Sequence, residues 1–328
     1  MSKRNIVVIG ASAGGVYALK EFVDLLPADF SGSIFVVQHM AADALSSLPE
    51  ILNFRGKLKA CHPVDGDPIR SGRIFVAPPD HHLLIEKGRI LVKKGPKENR
   101  FRPSIDALFR SAAYNYGPRV IGIVLTGLLN DGTSGMWTVK RLGGVSIIQQ
   151  PQEALYPSMP ESVRENVEVD YAVPIADLAP LLVELVAQEV DPRPSLSSVE
   201  DQSIATEIKI AEEEMDQAMK FFKEGQLTAL TCPECHGSLV SIQEGGLVRY
   251  RCHTGHAFTA GSLLSGVNHT IEESLWNAIR ALEELIMILN KLGQVQQDKG
   301  DLASAQSYFD RAAKVQERVD KIRPLVFE

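Results

Sequence analysis

Ser12 stands in a short run of small residues that can present a nucleophile. The run at 10–15 reads Gly-Ala-Ser-Ala-Gly-Gly and follows the apolar segment 6–9. A Gly-x-Ser-x-Gly pattern between a strand and a helix holds the serine hydroxyl on a sharp turn, beside the free N–H groups of the helix N-terminus. Such N–H groups can stabilise an oxyanion. Ser12 is therefore a candidate nucleophile, with Ala13 and Gly14 as candidate oxyanion-pocket residues.

The same run has two other interpretations. Ser12 could simply be the N-cap of the following helix. Gly10 and Gly15 also match the first and last glycines of a dinucleotide-binding turn, although Ser12 replaces the middle one. That fold needs an acidic residue at the end of the second strand to bind the ribose, but His39 stands there. Both departures count against a nucleotide.

His39 and Asp131 each follow a predicted strand, as Ser12 does. The carboxyl ends of parallel strands meet at one edge of a sheet, where α/β proteins bind ligands. Singly, a strand-end histidine is usually a half-buried side chain, and Asp131 reads as a helix cap. Together they complete a possible triad, in which a histidine takes the serine proton and an aspartate orients the histidine.

Short apolar runs alternate with amphipathic runs through the first 190 residues. Apolar runs of this length predict strands, and amphipathic runs predict helices. Because the strands are nearly continuous in apolar residues, we expect an α/β fold with a doubly wound, mostly parallel, Rossmann-like sheet. The predicted strands are 5–9, 33–38, 119–126, 145–149 and 169–173, and the predicted helices are 15–26, 44–54, 104–114, 132–142 and 175–189. A small antiparallel insertion is predicted from the segments 73–77, 81–86 and 90–94.

Four residues late in the chain have the spacing of a structural metal site. Cys232 and Cys235 form a Cys-x2-Cys pair, and Cys252 and His256 follow as Cys-x3-His. Three thiolates and an imidazole suit tetrahedral zinc, so residues 228–258 predict a zinc-ribbon-like module. With all four positions filled by protein, we expect structural Zn²⁺ and no catalytic cofactor. The alternative is a ribbon whose reduced cysteines hold no metal.

A segment rich in proline and serine divides the chain. Residues 191–203 predict a linker between a catalytic domain at 1–190 and a region at 204–328. Besides the zinc module, that region is predicted to hold a helix at 204–224 and a C-terminal helical hairpin at 270–292 and 302–325. The apolar stripes of the hairpin favour packing within the chain over a partner-binding coiled coil.

Charge and hydropathy argue against two classes of protein. Residues 1–190 hold 20 basic and 20 acidic residues, whereas residues 191–328 hold 14 and 21, which accounts for the net charge of −7. Neither part has the basic excess typical of a nucleic-acid-binding protein. No apolar run approaches the ~20 residues of a membrane-spanning helix, and the N-terminus lacks a secretory signal. We expect a cytoplasmic protein without nucleic-acid partners or membrane insertion.

Six motifs in the first 190 residues resemble the catalytic domain of the chemotaxis protein-glutamate methylesterases. They lie at 9–15, 36–40, 76–82, 102–106, 125–132 and 154–160. The resemblance implies that Ser12 is the nucleophile, His39 the base and Asp131 the acid that orients the base. It also implies hydrolysis of glutamate methyl esters on methyl-accepting chemoreceptors, with release of methanol. Deamidation of particular receptor glutamines is implied as well.

The chain departs from this family beside the expected oxyanion pocket. The family often has threonine where this chain has Ala13, and Met-Gly where this chain has Leu128 and Leu129. Backbone N–H donors survive both changes, so we expect substrate preference to differ more than activity. Leu128 therefore joins Ala13 and Gly14 as an expected pocket residue. Stand-alone relatives of the esterase can carry a similar cysteine-histidine tail, which supports the zinc module by resemblance.

Many family members carry an N-terminal receiver domain that covers the active site. The first predicted strand starts near the N-terminus, so we expect no receiver domain and an open site at Ser12. We expect the acidic tail to dock through exposed, salt-sensitive charge pairs near Arg100, Arg102 and Arg110. Two other functions stay open: an inactive regulatory or nucleotide-binding module, and a zinc interaction module on an esterase scaffold.

Overall fold

The computed structural model describes residues 3–326, and a seven-stranded parallel sheet lies at its centre. The first nine strands are β1 (Ile6–Ala11), β2 (Ser33–Gln38), β3 (Lys59–Cys61), β4 (Arg73–Val76), β5 (His82–Glu86), β6 (Arg89–Lys93), β7 (Val120–Val124), β8 (Val145–Gln149) and β9 (Tyr171–Val173). Seven of them form the sheet in the order β3-β4-β2-β1-β7-β8-β9. In this order β2 and β7 flank β1 on its two sides, so the carboxyl ends of β1, β2 and β7 are neighbours.

Helices cover both faces of this sheet, because strand side chains alternate between the faces. The helices are α1 (Gly15–Leu25), α2 (Leu48–Arg55), α3 (Ile105–Tyr116), α4 (Thr133–Arg141), α5 (Ser158–Asn166) and α6 (Ile175–Ala187). Val7 and Ile9 of β1 pack in one core with Phe22 of α1. Val8 packs in the other core with Phe109 of α3. The predicted α/β fold with a mostly parallel sheet is confirmed.

The antiparallel insertion is smaller than the sequence predicted. It is a hairpin of β5 and β6. The segment 73–77, predicted to belong to it, forms β4 and pairs in parallel with β2, with Val36 opposite Val76. Its assignment to the insertion is therefore wrong. The continuous burial of Ile74, Phe75 and Val76 is typical of an interior parallel strand.

A separate antiparallel sheet carries the predicted metal ligands. Its strands are β10 (Gln226–Thr231), β11 (Ser238–Glu244), β12 (Leu247–Cys252) and β13 (Ala257–Thr259), in that order. Cys232 follows β10 and Cys252 ends β12, so the turns after these two strands bring the ligands together. We call residues 226–263, which include the first turn of the next helix, the cysteine module.

The segment predicted as a linker contains the start of a helix. Helix α7 (Ser198–Ala211) follows Ser197, whose hydroxyl accepts from the Glu200 N–H, while the Glu200 carboxylate accepts from the Ser197 N–H. This reciprocal pair is a capping box. Serine at this position therefore begins a helix, although the composition of the segment is that of a loop.

The single helix predicted at 204–224 is divided in two. Helix α8 (Met215–Glu224) follows α7 after a break at Glu213, whose φ is 75°. The Glu213 carboxylate accepts a hydrogen bond from the Lys94 N–H at 2.8 Å. Lys94 directly follows β6, so this hydrogen bond connects the turn between α7 and α8 to the end of the hairpin β5–β6.

A buried cluster of charges joins the cysteine module to the α/β part. Three arginines and two glutamates in it have side chains only 1% exposed: Arg110, Arg249, Arg251, Glu98 and Glu207. Arg110 lies on α3, Glu207 on α7, and Arg249 and Arg251 on β12. The expectation of exposed, salt-sensitive docking at Arg110 is therefore wrong, because these ion pairs are shielded from solvent.

By its contacts the chain divides into two compact units, Met1–Leu263 and Leu264–Glu328. The second unit contains most of α9 (Ala260–Asp298) and all of α10 (Leu302–Ile322), and within it Leu289 packs with Ala312 and Val315. The predicted boundaries at residues 190 and 204 differ from this division and stay predictions about domains. Across residues 3–326, no helix combines the length and the apolar character needed to cross a membrane.

Candidate active site

Ser12 lies in the turn between β1 and α1, at the carboxyl edge of the parallel sheet. Its N–H donates to the Thr126 carbonyl at 3.0 Å, and its carbonyl accepts from the Gly15 N–H at 2.9 Å. Gly14 has a φ of 76°, a left-handed conformation that glycine adopts without strain. Gly127 comes very close, since a Cβ added there would lie 2.8 Å from the Ser12 Cβ. Small residues thus let the serine occupy a tight turn.

His39 follows β2 and lies beside Ser12. Its Nδ1 is 3.3 Å from the Ser12 Oγ, and its Nε2 is 2.8 Å from Oδ2 of Asp131. With the ring proton on Nε2, Nδ1 can accept the hydroxyl proton of Ser12. The Phe101 ring stacks on the imidazole, with centroids 3.7 Å and planes 9° apart. This contact restricts rotation of the imidazole away from Ser12.

Asp131 is a buried carboxylate that accepts hydrogen bonds on both oxygens. Its Oδ2 accepts from the His39 ring and from the Ile105 N–H at 2.7 Å. Its Oδ1 accepts from Asn99 Nδ2 at 2.9 Å and from Ser104 Oγ at 3.1 Å. Burial opposes ionisation, but the hydrogen bonds from His39, Asn99 and Ile105 outweigh it and hold the pKa of Asp131 below its ordinary value. Its negative charge lies where an imidazolium on His39 would form.

A second buried carboxyl group, Asp106, lies next to Asp131. Burial and the charge of Asp131 raise the pKa of Asp106 well above its ordinary value. Asp106 accepts hydrogen bonds from the Gly135 N–H at 2.6 Å and the Gly132 N–H at 3.0 Å, at the start of α4. The opposite pKa shifts of these neighbouring groups favour a single negative charge, on the carboxylate that contacts His39.

The predicted oxyanion-pocket residues lie in two different surroundings. Ala13 and Gly14 follow Ser12 directly, at the N-terminus of α1, where backbone N–H groups are available. The Ala13 carbonyl accepts from the Thr126 hydroxyl at 3.1 Å, which fixes the orientation of this turn. Leu128 lies in the turn after β7 and is 48% exposed. The structure thus brings Ala13 and Gly14 to the nucleophile and places Leu128 at the surface.

A cavity of about 350 Å³ opens beside Ser12 and His39. Its lining includes three cationic side chains and one carboxylate: Lys97, Arg100, Arg102 and Asp80. Arg102 pairs with Asp80 at 2.7 Å, and Lys97 pairs with Glu234 of the cysteine module at 3.1 Å.

Comparison with known protein families shows which family this part of the chain belongs to. The model of the CheB methylesterase family matches residues 7–182, which is more than half of the chain. The matched range contains Ser12, His39 and Asp131. The chain belongs to the CheB methylesterase family. The resemblance drawn from the six motifs is therefore confirmed, and with it the class of carboxylic ester hydrolase.

Individual CheB-like relatives match over the same part of the chain. A protein from Leptospira interrogans is 37% identical over 188 residues, which cover 57% of this chain and 97% of that protein. Protein-glutamate methylesterase/protein-glutamine glutaminase 2 from Methanosarcina mazei is 36% identical over 194 residues, covering 56% of this chain and 53% of that protein. The crystal structure of the Thermotoga maritima CheB methylesterase catalytic domain matches with a TM-score of 0.54 and 35% identity, covering 57% of this chain and 100% of that one.

The four predicted metal ligands come together in the cysteine module. The ligand atoms of Cys232, Cys235, Cys252 and His256 all lie within 4.8 Å of one another. Cys235 Sγ is 3.6 Å from Cys252 Sγ, and Cys232 Sγ is 3.7 Å from Nδ1 of His256. His253, the neighbour of Cys252, instead places its ring edge-on to Phe222, with centroids 6.0 Å apart. These three thiols and one imidazole are close enough together that they could hold a metal ion.

Three residues at the active site had no role assigned from the sequence. Asn99 donates a hydrogen bond to Asp131, and the Phe101 ring stacks on His39. Gln38 donates from Nε2 to the carbonyls of Ser12, at 2.8 Å, and His39, at 2.9 Å. Strand-end position could have indicated Gln38, because it is the last residue of β2. No local pattern marks Asn99, whose partners Asp131, Thr259 and Ser262 are distant in sequence.

Proposed function

We propose that this chain hydrolyses methyl esters of glutamate side chains on methyl-accepting chemoreceptors, releasing methanol, and deamidates particular receptor glutamines by the same route. The observation that carries the proposal is the line of hydrogen-bonding distances from Ser12 Oγ through His39 to Asp131, 3.3 and 2.8 Å long, inside a CheB methylesterase domain. The name of the Methanosarcina mazei relative supports both reactions.

The first half of the reaction acylates Ser12. His39 Nδ1 takes the hydroxyl proton while Ser12 Oγ attacks the ester carbonyl, and Asp131 stabilises the imidazolium that forms. The tetrahedral intermediate then expels methoxide, which receives the proton from His39 and leaves as methanol. The products of this half are methanol and a glutamyl ester on Ser12.

The second half regenerates the enzyme with water. His39 removes a proton from a water molecule, whose oxygen attacks the glutamyl ester carbon. The second tetrahedral intermediate breaks the bond to Ser12 Oγ, and His39 returns the proton to that oxygen. Glutamate is released. A glutamine substrate follows the same steps, with ammonia leaving in place of methanol.

The oxyanion of both intermediates is proposed to bind at the N-terminus of α1. The Ala13 and Gly14 N–H groups adjoin Ser12 there, and the helix dipole favours negative charge. Because these donors are backbone groups, alanine in place of threonine at position 13 keeps them. The exposed side chain of Leu128 is proposed to contact the substrate and not the oxyanion.

The charge of the cavity supports a substrate segment that contains glutamates. Three cations and Asp80 line it, and Glu234 pairs with one of these cations, Lys97, which leaves one more cation than carboxylates. A methylated receptor segment that also carries unmethylated glutamates would be attracted to such a lining. The attraction should weaken with salt, because charges near the surface are screened over about 8 Å at physiological ionic strength.

The cysteine module is proposed to bind one structural Zn²⁺ through Cys232, Cys235, Cys252 and His256. Tetrahedral zinc with Zn–S bonds of about 2.3 Å places its sulfur ligands about 3.8 Å apart. The 3.6 Å between Cys235 Sγ and Cys252 Sγ is close to that value. A zinc ion held by four protein ligands would fix the turns after β10 and β12 without taking part in ester hydrolysis.

Metal analysis tests this site. The full chain purified without chelators is expected to contain about one zinc ion per molecule, and the Cys252→Ala variant close to none, because three ligands hold zinc much more weakly than four. Cys61→Ala is the matched control, since Cys61 lies in β3 of the parallel sheet. Zinc is measured by atomic emission. Equal zinc in all three proteins, or none in the wild type, would contradict the assignment.

The domain arrangement is also a proposal. Residues 1–190 are proposed as the catalytic domain, because the family model ends at residue 182. Residues 204–328 are proposed as an added region with the zinc module and the helical hairpin. Residues 191–203 connect the two, partly as the first turns of α7.

The nucleotide-binding alternative is not favoured by the site. The turn that would receive a pyrophosphate is covered by Gln38, since a Cβ added to Gly15 would lie 2.2 Å from Gln38 Oε1. The strand end that would offer an acidic residue to a ribose carries His39 instead.

Chemical modification of the wild-type chain tests the proposed function. A fluorophosphonate is expected to label Ser12, because the probe reacts with serines that a histidine activates. Methanol release from a methylated receptor should then fall in proportion to the labelled fraction. Labelling is located by mass spectrometry of the peptide that contains residue 12, and hydrolysed probe serves as control. Full labelling with undiminished methanol release would show that Ser12 is not the nucleophile.

A further inference from the structure

The cysteine module is joined by main-chain hydrogen bonds to the segment that carries Asn99. The Asn99 N–H donates to the Ala257 carbonyl at 2.7 Å, and the Ala257 N–H donates to the Lys97 carbonyl at 3.2 Å. Residue 98 forms a parallel bridge with Ala257. The segment 97–99 therefore lies alongside β13, and its position depends on the module.

The Asn99 side chain connects the module to the triad carboxylate. Its Oδ1 accepts from the Thr259 N–H at 2.9 Å and from the Ser262 hydroxyl at 2.8 Å. Its Nδ2 donates to Asp131 at 2.9 Å and to Asp106 at 2.8 Å. All five residues are at most 4% exposed. The amide thus has two donors from the module on its oxygen and two carboxyl groups on its nitrogen.

The donors from the module fix which way this amide faces. An asparagine amide can turn over and exchange its oxygen and nitrogen. Turned over, Asn99 would place its oxygen against Asp131 and Asp106, and its NH2 against the Thr259 N–H. Thr259 and Ser262 therefore hold the amide in the orientation that donates to Asp131.

A second connection runs through the residue before the triad acid. The Thr259 hydroxyl donates to Asn130 Oδ1 at 2.7 Å and lies 3.0 Å from the Ser262 hydroxyl. The first turn of α9 packs closely there, since a Cβ added to Gly261 would lie 2.7 Å from Asn130 Nδ2. The module thus constrains the turn that presents Asp131 as well as its carboxylate.

We propose that Thr259 and Ser262 of the cysteine module are positioning residues for the esterase, which hold Asp131 in place for His39 through Asn99 and Asn130. The inference rests on the proposed function for the reaction that is catalysed. Its geometry concerns only the arrangement of Ser12, His39 and Asp131. It assigns the added module an indirect part in catalysis, through the position of Asp131. A module that only tethers the chain to a partner would leave the chemistry at Ser12 unchanged.

The test replaces the module's hydroxyl groups in the full chain. Ser262→Ala removes one donor to Asn99, and Thr259→Val removes the donor to Asn130. Each is expected to lower kcat about five- to tenfold, as loss of one buried hydrogen bond would, with KM unchanged because neither residue lines the cavity. Thr259→Ser keeps the hydroxyl and is expected to restore most of the rate. Thr228→Val is the matched control, since the Thr228 hydroxyl donates to Leu239 inside the module.

Two readouts separate this inference from the proposed function. Methanol release from methylated receptor gives kcat and KM, whereas the rate of Ser12 labelling by a fluorophosphonate reports the activated serine without any receptor. If the wild type labels but releases no methanol, the receptor assignment fails while the labelling rates still test the positioning residues. The inference is overturned if Ser262→Ala and Thr259→Val label as fast as the wild type, or if Thr228→Val slows labelling equally. Zinc content and circular dichroism identify any variant that has lost its fold.

Discussion

Replacing Ser12 with alanine is expected to lower kcat for methanol release by a factor on the order of 10³ to 10⁶, with little change in KM. The variant lacks the oxygen that attacks the ester, so the acyl-enzyme route is closed. His39 and Asp131 keep their 2.8 Å contact, and the proposed oxyanion donors of α1 remain. The small residual rate would come from water activated by His39. The measurement is release of labelled methanol from a methylated receptor under initial-rate conditions.

The exposed residue Ser31 offers a matched control for this substitution. Ser31 precedes β2 on the opposite edge of the sheet from the nucleophile, so Ser31→Ala should keep the wild-type rate. The Ser12→Ala variant should also fail to react with a fluorophosphonate. If Ser12→Ala released methanol within about tenfold of the wild type, the covalent mechanism would be wrong. The mechanism to examine would then be direct attack on the ester carbon by a water molecule that His39 activates.

The elements that position the site could be predicted because their sequences are locally consistent. Segments 33–38 and 145–149 are rich in β-branched apolar residues, and both form strands with those bounds. Ser12 and His39 directly follow β1 and β2, so the rule that parallel strands end at one edge is enough to place them together. Asp131 lies seven residues beyond the end of β7, and its place depends on the turn in between.

The rest of the site could not be predicted, because it depends on contacts between distant residues. Asn99 reaches Asp131 across 32 positions and Ser262 across 163. The segment 73–77 reads equally well as a hairpin strand or a sheet strand, and only its pairing with β2 decides. Segment 191–203 has the composition of a linker, although its Ser197 and Glu200 form a capping box.

The charge cluster shows most clearly where local patterns fail. Glutamate and arginine are expected at the surface, so no property of Glu98 or Glu207 predicts burial. Their partners Arg251 and Arg249 lie 153 and 42 positions away. The three arginines are balanced by Glu98, Glu207 and Glu244 only when the segment at residue 98, α3, α7, β11 and β12 are assembled, so the cluster holds these elements together.

Glu207→Gln is expected to destabilise the first unit by about 3–5 kcal/mol at neutral pH. Glu207 contacts Arg110 at 3.1 Å, Arg249 at 2.8 Å and Arg251 at 3.2 Å. Without its charge, three buried arginines face only Glu98 and Glu244 as anions, so one positive charge is left without compensation. The free energy of unfolding is measured in urea by tryptophan fluorescence. A Cβ added to Gly245 of the cysteine module would lie 2.7 Å from Trp137 Nε1, so this indole reports on the junction.

Trp276→Phe in every protein compared would leave Trp137 as the sole tryptophan. Glu86→Gln is the matched control, because Glu86 forms a partly exposed pair with Arg89 and should contribute little to stability.

The dependence of stability on acid pH gives a second test. Burial opposes ionisation of Glu207, but the three arginines outweigh it and lower its pKa from 4.5 to about 2. The stability from this lowered pKa is present above pH 4.5 and is lost as the pH falls through about 2. The difference between wild type and Glu207→Gln should therefore be constant at neutral pH and shrink towards pH 2. A difference below about 1 kcal/mol at pH 7, or one that does not change with acid, would mean that apolar contacts and not these charges hold the module on the α/β part.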